Sequence, residues 1–174
     1  MNFIISRADI PRDIILVTDL ILTVYDQLPP ERKAWFVVDE AEYTHQILAD
    51  GRAWAYKAVD TDTQELAGVF TVIFPGLSEH NLGYDVGLTA EQLPLVAHMD
   101  TAAVLSPYRG HHLQHRMMAL AEEDLKKAGY RYLCVTAHPD NHYSGNNMLS
   151  LGYQIITTKE KYGGFLRNIF MKEV

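Results

Sequence analysis

Cysteine is almost missing from this chain of 174 residues, with Cys134 standing alone. No internal disulfide can form and no Cys-rich metal site can be built, so a reducing, cytoplasmic compartment is expected. Positive charge is short as well. Against 22 Asp and Glu there are 15 Lys and Arg, a formal net charge of -7. That balance argues against nucleic acid as a partner, because phosphate-backbone binding rests on clustered cations; an acidic surface suits a cationic or amine ligand better. Long apolar runs are absent too. The run from Ile14 to Leu22 is cut by Asp19, preceded by Arg7, Asp9, Arg12 and Asp13, and lacks a small-residue cleavage site. It reads as neither a signal peptide nor a membrane span, and no membrane partner is expected. Repeats and low-complexity tracts are also missing.

What remains is a chain that is 48% hydrophobic, enough for one domain, residues 1–174, around a real core. A short strand is expected from Asn2 to Ser6 and a helix from about Arg12 to Gln27. The "LPPER" break follows, and then a second helix opened by Asp39 as N-cap. "AWAYKAV", "DTDTQ" and "ELAGVFTVIFPG" read as two strands around a polar turn. The polar stretch "SEHNLGYDVGLTAEQLPL" reads as a lid or substrate-side insertion.

From His98 the pattern becomes strand, helix, strand, helix, strand. "HMDTAAVL" and "YRYLCVTA" are strands, the second apolar on both faces as a buried parallel strand should be. Between them Leu113, Met117, Leu120, Ala121, Leu125 and Ala128 recur at helical spacing, with Lys126 and Lys127 in the last turn and Gly129 as the stop. A further helix starts near Asp140 or Asn141 and ends at Gly152. The strands "YQIITTKE" and "FLRNIFMKEV", joined through "KYGG", close the chain. The whole is expected to be an α/β or mixed α+β sheet of six or seven strands.

The helix of the βαβ unit is expected to open around Arg109-Gly110-His111-His112, without Ser, Thr, Asp or Asn at the capping place. Its first-turn N–H groups carry the positive end of the helix dipole and need acceptors. Water is one answer; a bound anion is the other, since a strand, a Gly turn and a helix N-terminus make a phosphate cradle. His112, placed in the first helical turn, is expected to have negative φ.

The segment "VLSPYRGHHLQ" resembles the acyl-CoA signature of the GNAT superfamily of N-acetyltransferases, an Arg or Gln followed by x-x-Gly-x-Gly/Ala after a strand. Arg109 matches the first position, while His112 stands where Gly is usual and Gln114 where Gly or Ala is usual. "HPDNHYSGNNMLSLGY" is similar to the second signature through Asn141, Ser144 and Leu151-Gly152-Tyr153. The likeness covers residues 97 to 155. It implies a GNAT-like fold, a central mixed sheet with splayed fourth and fifth strands flanked by about four helices. It also implies acetyl-CoA as co-substrate with no metal, and a small-molecule amine or peptide amine as acceptor; a homodimer is compatible with it. The cofactor contacts it implies are the strand backbone at Ala102, Ala103 and Val104, which pairs with the pantetheine amides, and the N–H groups of Arg109, Gly110, His111, His112, Leu113 and Gln114, which face the pyrophosphate. Asn141, Ser144 and Asn147, three apart along one helix, complete the set, although Asn141 is also a reasonable N-cap.

Acetyl transfer to an amine needs the amine neutral, and a Lys-like amine of pKa ~10.4 is almost wholly protonated at pH 7. His98 and Asp100, two apart on one strand and so on one face, are the candidate bases. Acidic residues in this strand are frequent bases in the family, which favours Asp100, with His98 second. Met148 stands where many members carry the tyrosine that protonates the thiolate, so the acid is left unassigned. Two rival readings stay open. One is a catalytically degenerate acyl-CoA-binding module, suggested by the missing Gly and Tyr. The other is a His-based metal-binding protein, suggested by His111 and His115, and by His138 and His142, each pair four apart but without a Glu beside it.

Overall fold

The computed structural model describes residues 1–174. In chain order the elements are β1 (Phe3–Arg7), α1 (Ile14–Asp26), α2 (Ala41–Ala49), β2 (Ala53–Asp60), β3 (Leu66–Ile73), β4 (Val96–Val104), α3 (Leu113–Lys127), β5 (Tyr132–Ala137), α4 (His142–Ser150), β6 (Gln154–Lys161) and β7 (Phe165–Glu173). The seven strands form one sheet ordered β1-β2-β3-β4-β5-β7-β6. The pairs β1/β2, β2/β3, β5/β7 and β6/β7 are antiparallel, and β4/β5 is parallel. No helix is long and apolar enough to cross a membrane.

Two compact units share this chain, one made of Met1–Ile73 and Thr101–Ala121, the other of Phe74–Asp100 and Glu122–Val174. Strand β4 and helix α3 each contribute to both, so neither unit is a contiguous piece of sequence. In the first unit α1 presents Ile14, Val17, Leu20, Ile21 and Val24, the 3.6-residue stripe of an amphipathic helix, to Ile47 and Leu48 of α2 and to Ala53, Ala55, Val69 and Ala103 of the strands. Each such side chain, fully buried, contributes roughly 1.5–3 kcal/mol. The stripe is anchored at its start by Asp13, 2% exposed. Its Oδ2 accepts hydrogen bonds from the Asp9 N–H at 2.8 Å and from Lys57 Nζ at 2.5 Å.

The second unit has its own apolar cluster of Leu82, Val96, Cys134 and Ile169. Cys134 is fully buried, and burial pushes its thiol up to about 12. Strand β5 is buried at Leu133, Cys134, Val135 and Ala137, which is why both of its faces read as apolar.

Three expectations are corrected. Asp39 is not the cap of α2: the helix begins at Ala41, with Glu40 in the cap position and no side-chain bond there. The "LPPER" break opens a 3-10 helix, Pro30–Trp35, with Pro in its first positions, where a missing N–H and a fixed φ are tolerated. Ala128 lies beyond the end of α3 and is exposed, while Met118, outside the expected stripe, is fully buried.

Candidate active site

In the first unit, β4 runs out at Val104, a short 3-10 turn occupies Ser106–Tyr108, and α3 starts only at Leu113. The four residues between them form a turn with Gly110 at φ +85 and His112 at φ +56. The expectation that His112 sits at negative φ inside the helix is therefore overturned. It stands just before the helix in the left-handed region, where a Cβ is strained. The glycine usual at this place thus serves the backbone conformation. The first α3 bond runs from the Arg116 N–H to the His112 carbonyl at 3.0 Å. The N–H groups of Gly110, His111, His112 and Leu113 make no hydrogen bond within the chain. They form a compact set of donors at the positive end of a 15-residue helix. The Arg109 N–H is bound to the Ser106 carbonyl at 3.3 Å, so the donor array begins one residue later than expected.

Side chains around this turn are directed elsewhere. Arg109 Nε donates to the Val104 carbonyl at 3.2 Å. The His111 ring lies 5.2 Å from the Phe3 ring, and Gln114 Nε2 is 3.9 Å from the Met118 sulfur. Ala103 is buried, while Ala102 and Val104 are half-buried. What this turn presents is a set of backbone N–H donors. His112→Gly relieves the left-handed strain, offset by about 0.4–1 kcal/mol from the added freedom of the unfolded glycine. The variant should therefore not melt below wild type, and titration with CoA should give a Kd within tenfold; a hundredfold weakening at both pH 6 and pH 8 would mean that the imidazole itself binds.

In the second unit α4 carries Ser144 and Asn147, with Asn141 just before its first residue. The Asn141 side-chain oxygen accepts the Ser144 N–H at 3.3 Å, which makes Asn141 the helix N-cap. Ser144 and Asn147 are half-buried. Met148 is only 3% exposed, so α4 offers no proton donor at that place. Of the neighbouring tyrosines, Tyr143 is 76% exposed and Tyr153 is buried. Burial, together with Glu122, pushes the Tyr153 hydroxyl above its ordinary range.

The same unit contains the fork of the parallel strands. The β4/β5 ladder has three pairs, Val96↔Tyr132, Ala97↔Leu133 and His98↔Cys134. Asp100 and Thr136 each lie two residues beyond the last pair, and side chains two apart along a strand share a face. Asp100 is exposed and His98 half-buried. His98 Nε2 accepts the Leu82 N–H at 3.0 Å, so the lone pair a base would use is occupied and the proton sits on Nδ1. Desolvation first, then Lys161, pushes the imidazole down to about 4, with Asp85 opposing. Asp100, exposed on the same strand, is the other candidate base.

A depressed histidine binds its proton more readily in the unfolded chain, at about 6.5. The stability it contributes is therefore present above pH 6.5 and lost as pH falls toward 4, on the order of 3 kcal/mol over that window. His98→Gln, whose amide oxygen can still accept the Leu82 N–H, should remove this acid sensitivity. Thermal melts at pH 7.5 and 5 check it, and an equal drop in both proteins would refute it.

The segment expected to be a lid is pinned in its first half. Asn81, fully buried, donates to the carbonyls of Gly76 at 2.7 Å and Leu93 at 3.1 Å. Its oxygen accepts the Gly83 N–H at 2.8 Å. Asp85 forms salt bridges with Lys159 and with Lys161, the latter at 2.7 Å. These bonds hold its carboxyl below the usual range despite burial.

Sequence reasoning missed Tyr162, which stands in the β6–β7 turn. Its hydroxyl lies 3.2 Å from Thr136 Oγ1, and the Arg167 guanidinium is 5.9 Å from its ring centre. Desolvation pushes its hydroxyl up; Thr136 works against that, Asp100 with it, Arg167 against, and Asp85 with it. The one available signal was an aromatic in a "KYGG" turn, a place where a small residue is usual.

No protein-family model and no curated protein sequence matches the chain. Solved structures do. NAA60 of Arabidopsis thaliana in complex with acetyl-CoA superposes with a TM-score of 0.75 at 13% identity, over 99% of both chains. An acetyltransferase of the GNAT family from Streptococcus pneumoniae gives 0.73 at 13% identity, over 99% of this chain and 100% of that one. A mosquito arylalkylamine N-acetyltransferase, like 5b, gives 0.72 at 15% identity with the same coverage. The seven-stranded mixed sheet with its parallel β4/β5 pair is the GNAT fold.

Proposed function

We propose that this protein is an acyltransferase that moves an acetyl group from acetyl-CoA to a primary amine by direct attack of the amine on the thioester. The observation that carries this reading is the donor array from Gly110 to Leu113, four backbone N–H groups without acceptors in the chain at a helix N-terminus. Such an array fits a pyrophosphate, and it stands in a fold whose neighbours include a structure with acetyl-CoA bound. In this reading the amides of Gly110, His111, His112 and Leu113 hold the pyrophosphate, and the backbone at Ala102 to Val104 pairs with the pantetheine arm. Ser144 and Asn147 offer polar side chains to the cofactor, and Asn141 sets the start of the helix that carries them. When bound, the cofactor supplies an activated acetyl thioester.

Asp100 takes the proton of the attacking amine. Its exposure lets it pass that proton to solvent, and general-base catalysis of this kind is typically worth about 10² to 10⁴ in rate. The acceptor is a small-molecule amine or a peptide amine, in keeping with the acidic chain, and the cytoplasm supplies the reducing conditions that the lone buried Cys134 suits.

Thermal melting tests the binding half of this reading. Acetyl-CoA at about 100 times its Kd should stabilise the folded chain by roughly 2.7 kcal/mol, and zinc should not. A zinc-dependent shift reversed by chelator, with no response to acetyl-CoA, would overturn the proposal in favour of a metal protein.

A further inference from the structure

We propose that Tyr162 is the proton donor to the departing thiolate, doing from the β6–β7 turn what α4, with Met148 in its core, cannot do. The inference rests on the acetyltransferase reading and goes on to assign the acid that the sequence left open.

Its first support is placement. The register puts Asp100 on β4 and Thr136 on β5 at equivalent steps past the last parallel pair, His98↔Cys134. In a parallel ladder, paired residues direct their side chains to the same face, and so do residues two further on. The Tyr162 hydroxyl is 3.2 Å from Thr136 Oγ1, which places it on the face of the fork that carries Asp100. Tyr162 is 48% exposed, so the group is accessible to a substrate. The charged groups around it are Asp100 on β4, Arg167 on β7 and Asp85 from the preceding loop.

The second support is backbone conformation. Tyr162 has φ +53 and Gly163 φ +82, and the Gly164 N–H bonds back to the Lys161 carbonyl at 3.2 Å. These are the features of a type I′ hairpin turn, whose first central position favours Asn, Asp or Gly. A bulky tyrosine there is strained, and nothing in the turn itself rewards it. Strain of this sort persists where the side chain has a role that outweighs it. Arg167, 2% exposed, stands beside both the Tyr162 and the Phe165 rings.

The step balances. The substrate ammonium first loses one proton through Asp100 to solvent; the neutral nitrogen then bonds to the thioester carbon while Asp100 takes a second proton from it. Collapse of the tetrahedral adduct breaks the C–S bond and leaves the electron pair on sulfur, which takes the proton from the Tyr162 oxygen. The phenolate then recovers the proton held by Asp100, and both groups return to their starting states. Desolvation and the nearby carboxylates favour the protonated phenol, the form a donor must hold at the start.

The test compares wild type with Tyr162→Phe and Tyr162→Asn. The substrates are acetyl-CoA and its selenium analogue, acetyl-seleno-CoA, with whichever of tyramine, spermidine or a Met-initiated peptide turns over fastest. A selenolate is a much better leaving group and needs no proton. Tyr162→Phe should lower kcat on acetyl-CoA at least tenfold, keep the Kd for acetyl-CoA, and lose most of that deficit on the selenoester. Tyr162→Asn, which accepts the left-handed turn, should melt no lower than wild type and yet lose turnover equally. An equal loss on thioester and selenoester, an unchanged kcat, or wild type that binds acetyl-CoA without acetylating any of the three amines would overturn the proposal. Failure of wild type to bind acetyl-CoA at all would instead overturn the acetyltransferase reading beneath it.

Discussion

Asp100→Asn should fold, bind acetyl-CoA as wild type does, and lose at least tenfold in turnover at pH 7. The amide is isosteric with the carboxylate and the residue is exposed, so the core is undisturbed, and the carboxylate that would take the proton is gone. An amine of pKa ~10.4 is then left to shed its proton unaided, and at pH 7 only about one molecule in 10³ is neutral. The deficit should shrink as pH rises toward the amine's own pKa, because solvent then does the work of the base. His98 cannot substitute, since its Nε2 is engaged by the Leu82 N–H. A mutant rate equal to wild type from pH 6 to 9 would remove Asp100 from the mechanism.

Lys57→Met, on β2, should destabilise the start of α1 through Asp13. Asp13 is 2% exposed, and its carboxylate has two partners, the Asp9 N–H and Lys57. Burial alone would push this carboxyl up, but the bonds from Lys57 and Asp9 and the charges of Lys57 and Arg12 outweigh it and hold it below its ordinary value. Taking the cation away leaves a buried carboxylate with only the Asp9 N–H as a hydrogen-bond partner, which costs about 3 kcal/mol, or roughly 6–12 °C in Tm for a chain of this size. A carboxyl depressed in the folded state contributes stability above its unfolded pKa of ~3.9 that is lost as pH falls through the folded value. The wild-type advantage over Lys57→Met should therefore be full at neutral pH and narrow below about pH 4. A Tm within 2 °C of wild type at pH 7, on the order of half a kcal/mol, would show that the pair is not structural.

Much of this fold is written in short-range pattern. The strand-helix-strand of β4, α3 and β5 is legible because alternation, a 3.6-residue stripe and a terminal glycine act locally, within a few residues of where they are read. The donor array at Gly110 to Leu113 was legible for the same reason, as a helix start with no cap. Its detailed geometry was not. His112 looks like a first-turn residue, and only the folded turn shows it at φ +56, outside the helix.

What stayed hidden depends on residues far apart in sequence. His98 reads as a spare base in the sequence, but its Nε2 accepts the Leu82 N–H, sixteen positions away. Asp85 sits in a polar stretch that reads as a free loop, and is fixed by Lys159 and Lys161 more than seventy residues later. Tyr162 is joined to Thr136 only by the pairing of β5, β7 and β6. No periodicity encodes such contacts.

Release of free thiol from acetyl-CoA, followed over a panel of small amines and peptides with purified wild type and Asp100→Asn side by side, is the most direct measurement of the central claim. An N-acetyltransferase gives acceptor-dependent thiol release with a stoichiometric acetylated amine, and at least a tenfold slower rate in the mutant at neutral pH. Tight acetyl-CoA binding with no acceptor-dependent thiol release from either protein would contradict it and leave an acyl-CoA-binding module without turnover.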